Sequence, residues 1–337
     1  MPTVLSAVPP EISVLLPAYN AAATLPACLR SIARQREPRW ECVVVDDGSD
    51  DGTAACARRF AGADGRFRVV ATAHRGIVGA LEVGLGHCRG RVVARMDADD
   101  VMHRDRLGAQ LAALDAAPEL AAVGCHVRIF PRGGLAAYER WLRSIDSARR
   151  VREEAFVECP VAHPTLMIRR PVLEALGYRD AGWAEDYDLV LRLLARGDEI
   201  GVVPRRLVAW RDTAARVSRT DARYGQDRFT ACKAAFLAAD FLADSDRYVL
   251  WGYGGTGRAL RRALVEHGKH PSHVVEVHPG RLGQRIHDAR VIPIAALAGM
   301  PRVPLIASVA GMGARGEIRR ALADLGWEEG RDFVCAA

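Results

Sequence analysis

Alternating strand and helix patterns are clearest in residues 12–53, which read ISVLLPAYNAAATLPACLRSIARQREPRWECVVVDDGSDDGT. Two short apolar runs, 12–16 and 42–45, flank a segment in which Leu25, Leu29 and Ile32 recur at helical spacing. Two buried strands joined by a helix form a βαβ unit. The stretch therefore predicts neighbouring parallel strands with a crossover helix packed on one face.

The same alternation continues on both sides of an irregular middle region. Further strand patterns are predicted at 67–71, 91–96 and 121–127, with helices after Gly76 and over 106–116. Residues 128–217 are less regular, although 171–176 and 186–195 read as helices. After an Ala-rich helical connector, strands are expected at 248–251, 274–277 and 304–308, with helices over 256–267 and 316–325. The predicted domains are 11–220 and 247–337, joined by a helical connector over 221–246.

Length and composition limit the class of protein. A chain of 337 residues usually forms more than one core, and 50% hydrophobic with 26% charged residues is typical of a globular protein rather than a disordered one. The formal net charge of +6 favours anionic ligands or an acidic membrane surface. The basic residues form no tail, and no nucleic-acid partner is expected.

The cysteines and apolar segments bear on location. The chain has 8 cysteines without a CxxC pair, which favours reduced, buried thiols over a zinc site. Residues 1–10 lack the pattern of a signal peptide, and the weakly polar stretch 291–314 contains three prolines, which suits a membrane-spanning helix badly. We expect a cytoplasmic protein, with peripheral contact to the inner membrane face left open.

Polar residues directly follow three of the predicted strands. They are 17–20, the acidic and Gly-rich 46–53, and Asp97-Ala98-Asp99-Asp100. Ligands of open α/β sheets gather at the carboxyl ends of strands, and alternating carboxylates suit a hard divalent cation. Each group taken alone is also ordinary turn or helix-cap chemistry. Their conjunction indicates one cleft, to which the Glu185-Asp186 pair at the start of a later helix is a candidate addition.

These residues resemble the family 2 glycosyltransferases, which have the GT-A fold. The resemblance covers about residues 11–218 and rests on VLLPAYN (14–20), VVVDDGS (43–49), DADD (97–100), and HPTLM (163–167) followed by AEDYDL (184–189). It implies an α/β fold with a mostly parallel mixed sheet that binds a nucleotide sugar. It also implies a metal-dependent inverting glycosyltransferase of the hexosyltransferase type.

The resemblance implies roles for individual residues. Pro17, Ala18 and Tyr19 would cup the nucleobase, Asp47 would bond a uracil ring, and Arg75 would contact the base or phosphates. Asp97 would lie near the ribose or the metal and Asp99 would bind Mg²⁺ or Mn²⁺. Asp186 would be the catalytic base. The donor would be a nucleotide sugar, most simply a UDP-sugar, and the acceptor a saccharide, a lipid-linked glycan or a small molecule.

The chain departs from the family pattern at one place. Many relatives have an Arg-x-His element after the last strand of the catalytic domain, whereas Trp210-Arg211 is followed here by Asp212. Arg211, Arg216 or Arg219 could supply charge in its stead. His163 is interpreted as a structural rather than a catalytic histidine.

The C-terminal region carries a second motif. Gly252, Gly254 and Gly257 form a GxGxxG between a predicted strand and helix, and Glu276 follows at the distance of a ribose-binding acid. This predicts a small Rossmann-like domain that binds NAD or another nucleotide, or is purely structural. Two alternatives to a glycosyltransferase stay open: a nicotinamide-dependent sugar oxidoreductase, disfavoured because the domain lacks a Tyr-x-x-x-Lys pair, and a non-catalytic nucleotide-sugar-binding protein.

Overall fold

The computed structural model describes residues 9–131, 133–213, 216–276 and 278–337. Within this part of the chain the contacts separate two compact units. The first is drawn from Met1–Ala148, Val161–Asp180 and Arg192–Thr213, and the second from Arg149–Pro160, Ala181–Leu191 and Ala214–Ala337. The chain therefore passes between the units several times instead of completing one before the other.

The first unit contains a mixed sheet. Its strands are β1 Ile12–Ala18, β2 Trp40–Asp46, β3 Phe67–Ala71, β4 Val92–Arg95, β5 Val101–Met102, β6 Leu120–Phe130, β7 Met167–Arg169 and β8 Glu199–Arg211. Within the described residues their order is β3-β2-β1-β4-β7-β6-β8-β5. The first four are mutually parallel, β7 is antiparallel to both neighbours, and β5 runs antiparallel to β8. The carboxyl ends of β1 to β4 consequently share one edge, where the predicted site loops begin.

Helices alternate with these strands along the chain. They are α1 Leu25–Ala33, α2 Thr53–Ala63, α3 Gly76–Leu85, α4 Arg106–Ala116, α5 Ala136–Arg143, α6 Ala148–Glu154, α7 Arg170–Leu176 and α8 Glu185–Ala195. Most belong to the first unit, whereas nearly all of α6 and the first part of α8 belong to the second. The α1 residues at helical spacing, Leu25, Leu29 and Ile32, are all fully buried. They join strand residues such as Val14 and Val44 in one apolar core. Burial of this stripe explains why the local sequence adopts a helix.

The second unit is a parallel sheet with an antiparallel addition at one edge. Its elements are α9 Val217–Thr220, α10 Gln226–Ala239, β9 Arg247–Trp251, α11 Gly255–Glu266, β10 His270–Val275, β11 Arg285–Ile286, β12 Ala289–Ile292, β13 Leu305–Ala307, α12 Met312–Asp324 and β14 Phe333–Cys335. The strand order is β11-β12-β10-β9-β13-β14 among the described residues. Numbered along the chain without β11, the parallel strands have the order 3-2-1-4-5 of a Rossmann half-sheet.

The predicted α/β fold with a mixed, mostly parallel sheet and a second α/β domain is confirmed. Some details differ. The strand predicted over 274–277 is β10, which begins at His270, and Val277 lies outside the described residues. The strands β7 and β8 in the irregular middle were not predicted, because Pro204 and two arginines interrupt the β8 pattern where its register with β6 shifts.

The predicted domain boundaries of 11–220 and 247–337 stay a proposal. The contacts between residues show in addition that parts of the middle region belong with the C-terminal unit. Two segments of the middle region, Arg149–Pro160 and Ala181–Leu191, pack with the C-terminal unit. Glu154 explains part of this, because its buried carboxylate bonds Arg319 of α12 at 2.8 Å and Arg150 at 2.7 Å. Phe156 and Val157 also pack against apolar clusters of this unit.

Among the described helices, we find none with the length and apolar character needed to cross a bilayer.

Candidate functional site

The loops that follow β1 and β2 are tied together by hydrogen bonds. The amide of Asn20 donates to Ser49 Oγ at 3.0 Å, and Asn20 Oδ1 accepts from the amide of Asp50 at 3.1 Å. The amide of Ala21 donates to Thr53 Oγ1 at 2.8 Å. Asn20 has a φ of 47°, a left-handed conformation that asparagine tolerates better than most residues. The reciprocal bonds fix both loops at the same edge of the sheet.

Asp47 holds the loop that precedes α3. Its side chain is 2% exposed and accepts from the amides of Arg75 at 2.8 Å and Gly76 at 2.9 Å. His74 Nδ1 lies 2.9 Å from the same carboxylate. Gly48 has a φ of 74°, and a Cβ there would lie 2.7 Å from the amide nitrogen of His74. The close approach of these two loops therefore requires glycine.

An aromatic pair lies on top of this arrangement. The ring of Tyr19, which is 49% exposed, stacks on His74 with centroids 4.1 Å apart and planes at 28°. Pro17 and Ala18 are buried in β1, whereas Arg75 is exposed. The residues that the sequence predicts around the nucleobase thus lie together, and His74 belongs with them. That His74 belongs to this group is visible only in the fold, where it lies between Asp47 and α3.

Three carboxylates converge after β4. One oxygen from each of Asp97, Asp99 and Asp100 can be chosen so that all lie within 4.8 Å of one another. Asp97 Oδ1 is 2.6 Å from Arg95 NH1, and Asp100 is fully buried. Three hard oxygen donors at this spacing fit a divalent cation of the Mg²⁺ or Mn²⁺ type. The resemblance implies Asp97 and Asp99 as ligands, and the geometry adds Asp100 to the candidate set.

Arg211 secures the acidic loop from the end of β8. Its amide donates to Asp100 Oδ1 at 2.7 Å and its Nε donates to the carbonyl of Asp99 at 2.8 Å. The guanidinium also lies 4.6 Å from the ring centroid of Phe130. Arg211, one of the arginines offered in place of the missing Arg-x-His element, therefore contacts the acidic loop.

A fully buried arginine lies behind the same loop. Arg106 donates to Gln110 Oε1 at 2.9 Å and to the carbonyl of Arg95 at 2.8 Å. Burial lowers the pKa of its guanidinium, and the negative charge of Asp100 acts in the opposite direction. A buried cation that interacts with Asp100 helps to offset the mutual repulsion of the carboxylates. Neither Arg95 nor Arg106 stands out in the sequence, because arginines are common in this chain.

His163 lies in the interior of the first unit. It is 5% exposed, and Nε2 is 3.4 Å from Tyr178 Oη. Burial, assisted by the positive charge of Arg95, holds the pKa of His163 well below its usual value. The histidine is therefore neutral at pH 7, which favours its interpretation as a structural residue.

The acidic start of α8 belongs to the second unit. Glu185 is 3% exposed and accepts a hydrogen bond from Tyr224 Oη, while Asp188 is fully buried and accepts from Trp183 Nε1 at 3.0 Å. Asp186 is half-buried, and one of its oxygens accepts from the amide of Tyr187 at 2.8 Å. Asp186 is thus the most accessible of the three carboxylates.

The glycine motif of the second unit follows β9 and extends into the first turn of α11, which contains Gly257. Gly252 has a φ of 95°, and a Cβ there would lie 2.5 Å from Val309 Cγ2. A Cβ on Gly257 would lie 2.2 Å from the carbonyl oxygen of Gly252, whereas one on Gly254 would meet nothing within 4 Å. Glu276 follows β10 and lies 3.1 Å from Arg281 NH1. The geometry distinguishes two glycines that the packing needs from one that faces open space.

Comparisons with known proteins converge on one family. Residues 13–177 match the model of glycosyl transferase family 2. Over 196 residues the chain is 31% identical to the amylovoran biosynthesis glycosyltransferase AmsE of Erwinia amylovora, which covers 57% of this chain and 73% of AmsE. It is 32% identical over 101 residues to WfgD of Escherichia coli, described as UDP-Glc:alpha-D-GlcNAc-diphosphoundecaprenol beta-1,3-glucosyltransferase. That match covers 30% of this chain and 39% of WfgD.

Solved structures share the fold at lower identity. TarS of S. aureus, in complex with UDP-GlcNAc, superposes with a TM-score of 0.54 at 18% identity and covers 76% of this chain and 72% of its own. The mannosyltransferase PcManGT of Pyrobaculum calidifontis, in complex with GDP-Man and Mn²⁺, superposes with a TM-score of 0.52 at 21% identity, over 96% of this chain and 82% of its own.

Proposed function

The chain belongs to glycosyltransferase family 2, and we propose that it transfers a sugar from a nucleotide sugar to an acceptor hydroxyl with inversion at the anomeric carbon. A UDP-sugar is the first candidate donor. The observation that carries this proposal is the convergence of three carboxylates after β4, at the sheet edge that also holds the Tyr19 and Asp47 loops. A diphosphate leaving group needs positive charge at this position.

The residues that we propose for binding the sugar donor all lie in the first unit. Asp99, with Asp97 and Asp100, would hold Mg²⁺ or Mn²⁺, which supplies Lewis-acid stabilisation of the departing diphosphate. Tyr19 offers a ring face to the nucleobase, beside the buried Pro17 and Ala18. Asp47 orients the loop that carries Arg75, because both of its oxygens accept amides of that loop. Arg75 is exposed and available to a base or phosphate.

The acceptor side needs a base, for which we propose Asp186. An acceptor hydroxyl becomes a competent nucleophile when a positioned carboxylate removes its proton. Glu185 and Asp188 already accept bonds from Tyr224 and Trp183 and are buried, which disfavours either as the base. A single base suffices for inversion, since no covalent glycosyl-enzyme intermediate forms.

The relatives suggest the class of acceptor. AmsE takes part in amylovoran biosynthesis, and WfgD acts on a sugar linked through diphosphate to undecaprenol. We extend this to the present chain as a saccharide acceptor, in particular one carried on a lipid, in polysaccharide synthesis. Such an acceptor lies at a membrane, so peripheral contact of a cytoplasmic enzyme with the inner membrane face is part of the proposal.

The second unit is proposed to bind a nucleotide, with NAD as the first ligand to test. The support is the 3-2-1-4-5 strand order together with the glycine geometry: Gly252 makes the turn, Gly257 permits close packing of helix and strand, and Gly254 leaves space for a pyrophosphate. Glu276 would bond the ribose. Gly254→Ala should keep the fold and abolish binding in an NAD titration, and a titration without binding to the wild type would contradict this role.

The transferase proposal is tested by a donor screen. Release of nucleoside diphosphate is measured with UDP- and GDP-sugars, with and without Mn²⁺, in the presence of lipid-linked saccharides. Asp186→Asn should keep donor binding but reduce turnover by roughly two orders of magnitude or more. Asp227→Asn is the matched control, because Asp227 is an exposed acid of the same unit. A turnover of Asp186→Asn within a few-fold of wild type would assign the base to another group.

A further inference from the structure

A cavity of about 610 Å³ lies in the first unit, and its lining includes none of the residues assigned to the donor. It is formed by the end of α1, by β5 and the residues after it, and by parts of β6 and β8. Four arginines line it, Arg34, Arg104, Arg128 and Arg206, together with His103. No Asp or Glu is found among the described residues of its lining. The cavity is therefore electropositive.

Most of this positive charge is not neutralised. Arg206 lies 3.1 Å from Glu139, outside the lining. Arg34, Arg104 and Arg128 are exposed, and within the described residues the structure records no hydrogen bond or ion pair for their guanidinium groups. Like charges around one cavity repel, so their free energy falls when an anion enters.

An acid close to this part of the chain, Asp105, is already paired with other cations. Asp105 is one of the described residues that follow β5. Its carboxylate lies 2.9 Å from Arg36 and 3.2 Å from Arg205. Neither arginine lines the cavity, and Nδ1 of His103, which does, also lies 3.6 Å from this carboxylate. Asp105 therefore does not compensate the three arginines of the lining.

The lining also indicates what kind of anion fits. Guanidinium groups match the oxygens of a phosphate through paired N–H donors. Met102, Leu207 and Val208 are buried side chains at the same cavity and give it an apolar component. A ligand that combines phosphate with hydrocarbon satisfies both features. Val101, another lining residue, directly follows the acidic loop in the chain, so the cavity adjoins the candidate metal site in sequence.

We propose that this cavity binds the phosphate of a membrane lipid headgroup and thereby attaches the enzyme to the surface that carries its acceptor. The inference rests on the proposed lipid-linked acceptor and names the part of the chain that contacts the membrane. The chemistry recognised is a phosphate ester beside an apolar chain. Free phosphate or pyrophosphate has the phosphate oxygens but no apolar chain.

The test compares two triple variants of the full chain. In the first, Arg34, Arg104 and Arg128 become Gln; in the control, Arg30, Arg58 and Arg59 become Gln. The control arginines are exposed on α1 and α2, and no hydrogen bond or ion pair is recorded for their guanidinium groups within the described residues. Both variants lose three positive charges, so the change in net charge is matched. Thermal melts establish that both variants are folded.

Binding to vesicles is the readout, and it does not involve sugar transfer. The wild type should co-sediment with phosphatidylglycerol–phosphatidylcholine vesicles at low salt and much less with pure phosphatidylcholine. The cavity variant should lose about a hundredfold in partition coefficient, since each arginine near an anionic surface contributes about fivefold. The control variant should lose much less. An equal loss in both variants would overturn the assignment of the cavity and leave a general charge effect.

Two further outcomes separate the sources of the phosphate. Inorganic pyrophosphate should displace wild-type protein from anionic vesicles only at millimolar concentration. Micromolar binding of pyrophosphate without vesicle binding would overturn the lipid as ligand. Failure of the wild type to bind any anionic vesicle would overturn the membrane contact as a whole, while the donor screen would still decide the transferase activity independently.

Discussion

Replacement of Asp47 by Asn tests whether this residue orders the donor loop. The buried carboxylate accepts the amides of Arg75 and Gly76 on its two oxygens. An asparagine keeps one oxygen and turns its NH₂ group toward the other amide, so one hydrogen bond is lost. Bonds to charged acceptors contribute roughly 1.5–3 kcal/mol, and water can hydrate part of this exposed loop, so we expect a loss of about 2 kcal/mol.

Two measurements follow this loss. Hydrogen exchange of the Gly76 amide should accelerate about 30-fold, since each 1.4 kcal/mol is a factor of ten. UDP affinity should fall by a similar factor if the base binds only to the ordered loop. Asp50→Asn is the control, because Asp50 is exposed and its effect should stay within about 0.5 kcal/mol. Unchanged exchange in a folded Asp47→Asn protein would refute the anchoring role.

Three more predictions concern the metal site, the core and the domain division. Asp99→Asn should lower Mn²⁺-dependent UDP affinity by about tenfold or more in a calorimetric titration, while Asp115→Asn on the surface should not; equal affinities would remove Asp99 from the site. Burial lowers the pKa of His163, so below about pH 6.5 the unfolded state binds a proton that the folded state does not. The free energy of unfolding should therefore fall as the pH drops, and it should fall less in His163→Gln. Thermal melts of both proteins at pH 5 and 7.5 measure the difference. A chain that ends at Ala243 should aggregate in size-exclusion chromatography, because Phe156 loses its apolar neighbours; a monomeric truncated chain with normal UDP binding would contradict the interleaved packing.

Periodic and β-branched segments could be predicted from the sequence because local pattern determines them. The strand at 67–71 and the helix at 106–116 match the structure residue for residue. The strand β8 could not be predicted, since exposed charges and Pro204 interrupt its alternation and its pairing with β6 provides the missing specification. The helix predicted over the connector is shorter than expected and covers Gln226–Ala239.

Site residues divide in the same way. Asp97 and Asp99 are visible because acids after a strand form a short local motif, and Asp100 could have been added from the same motif. His74 and Arg106 could not be identified, because their roles come from contacts with residues 27 and 11 positions away in the chain, Asp47 and Arg95. Single-sequence patterns carry no signal for such pairs.

The ion pair between Glu154 and Arg319 has a consequence for synthesis of the chain. The two residues are 165 positions apart, so at roughly 5–20 residues per second Glu154 leaves the ribosome about 10–30 s before its partner is made. During that interval the α6 segment and the apolar residues after it have no final packing partner. The growing chain would then depend on chaperones to keep this segment from premature association until α12 is complete, and slower translation would lengthen the interval.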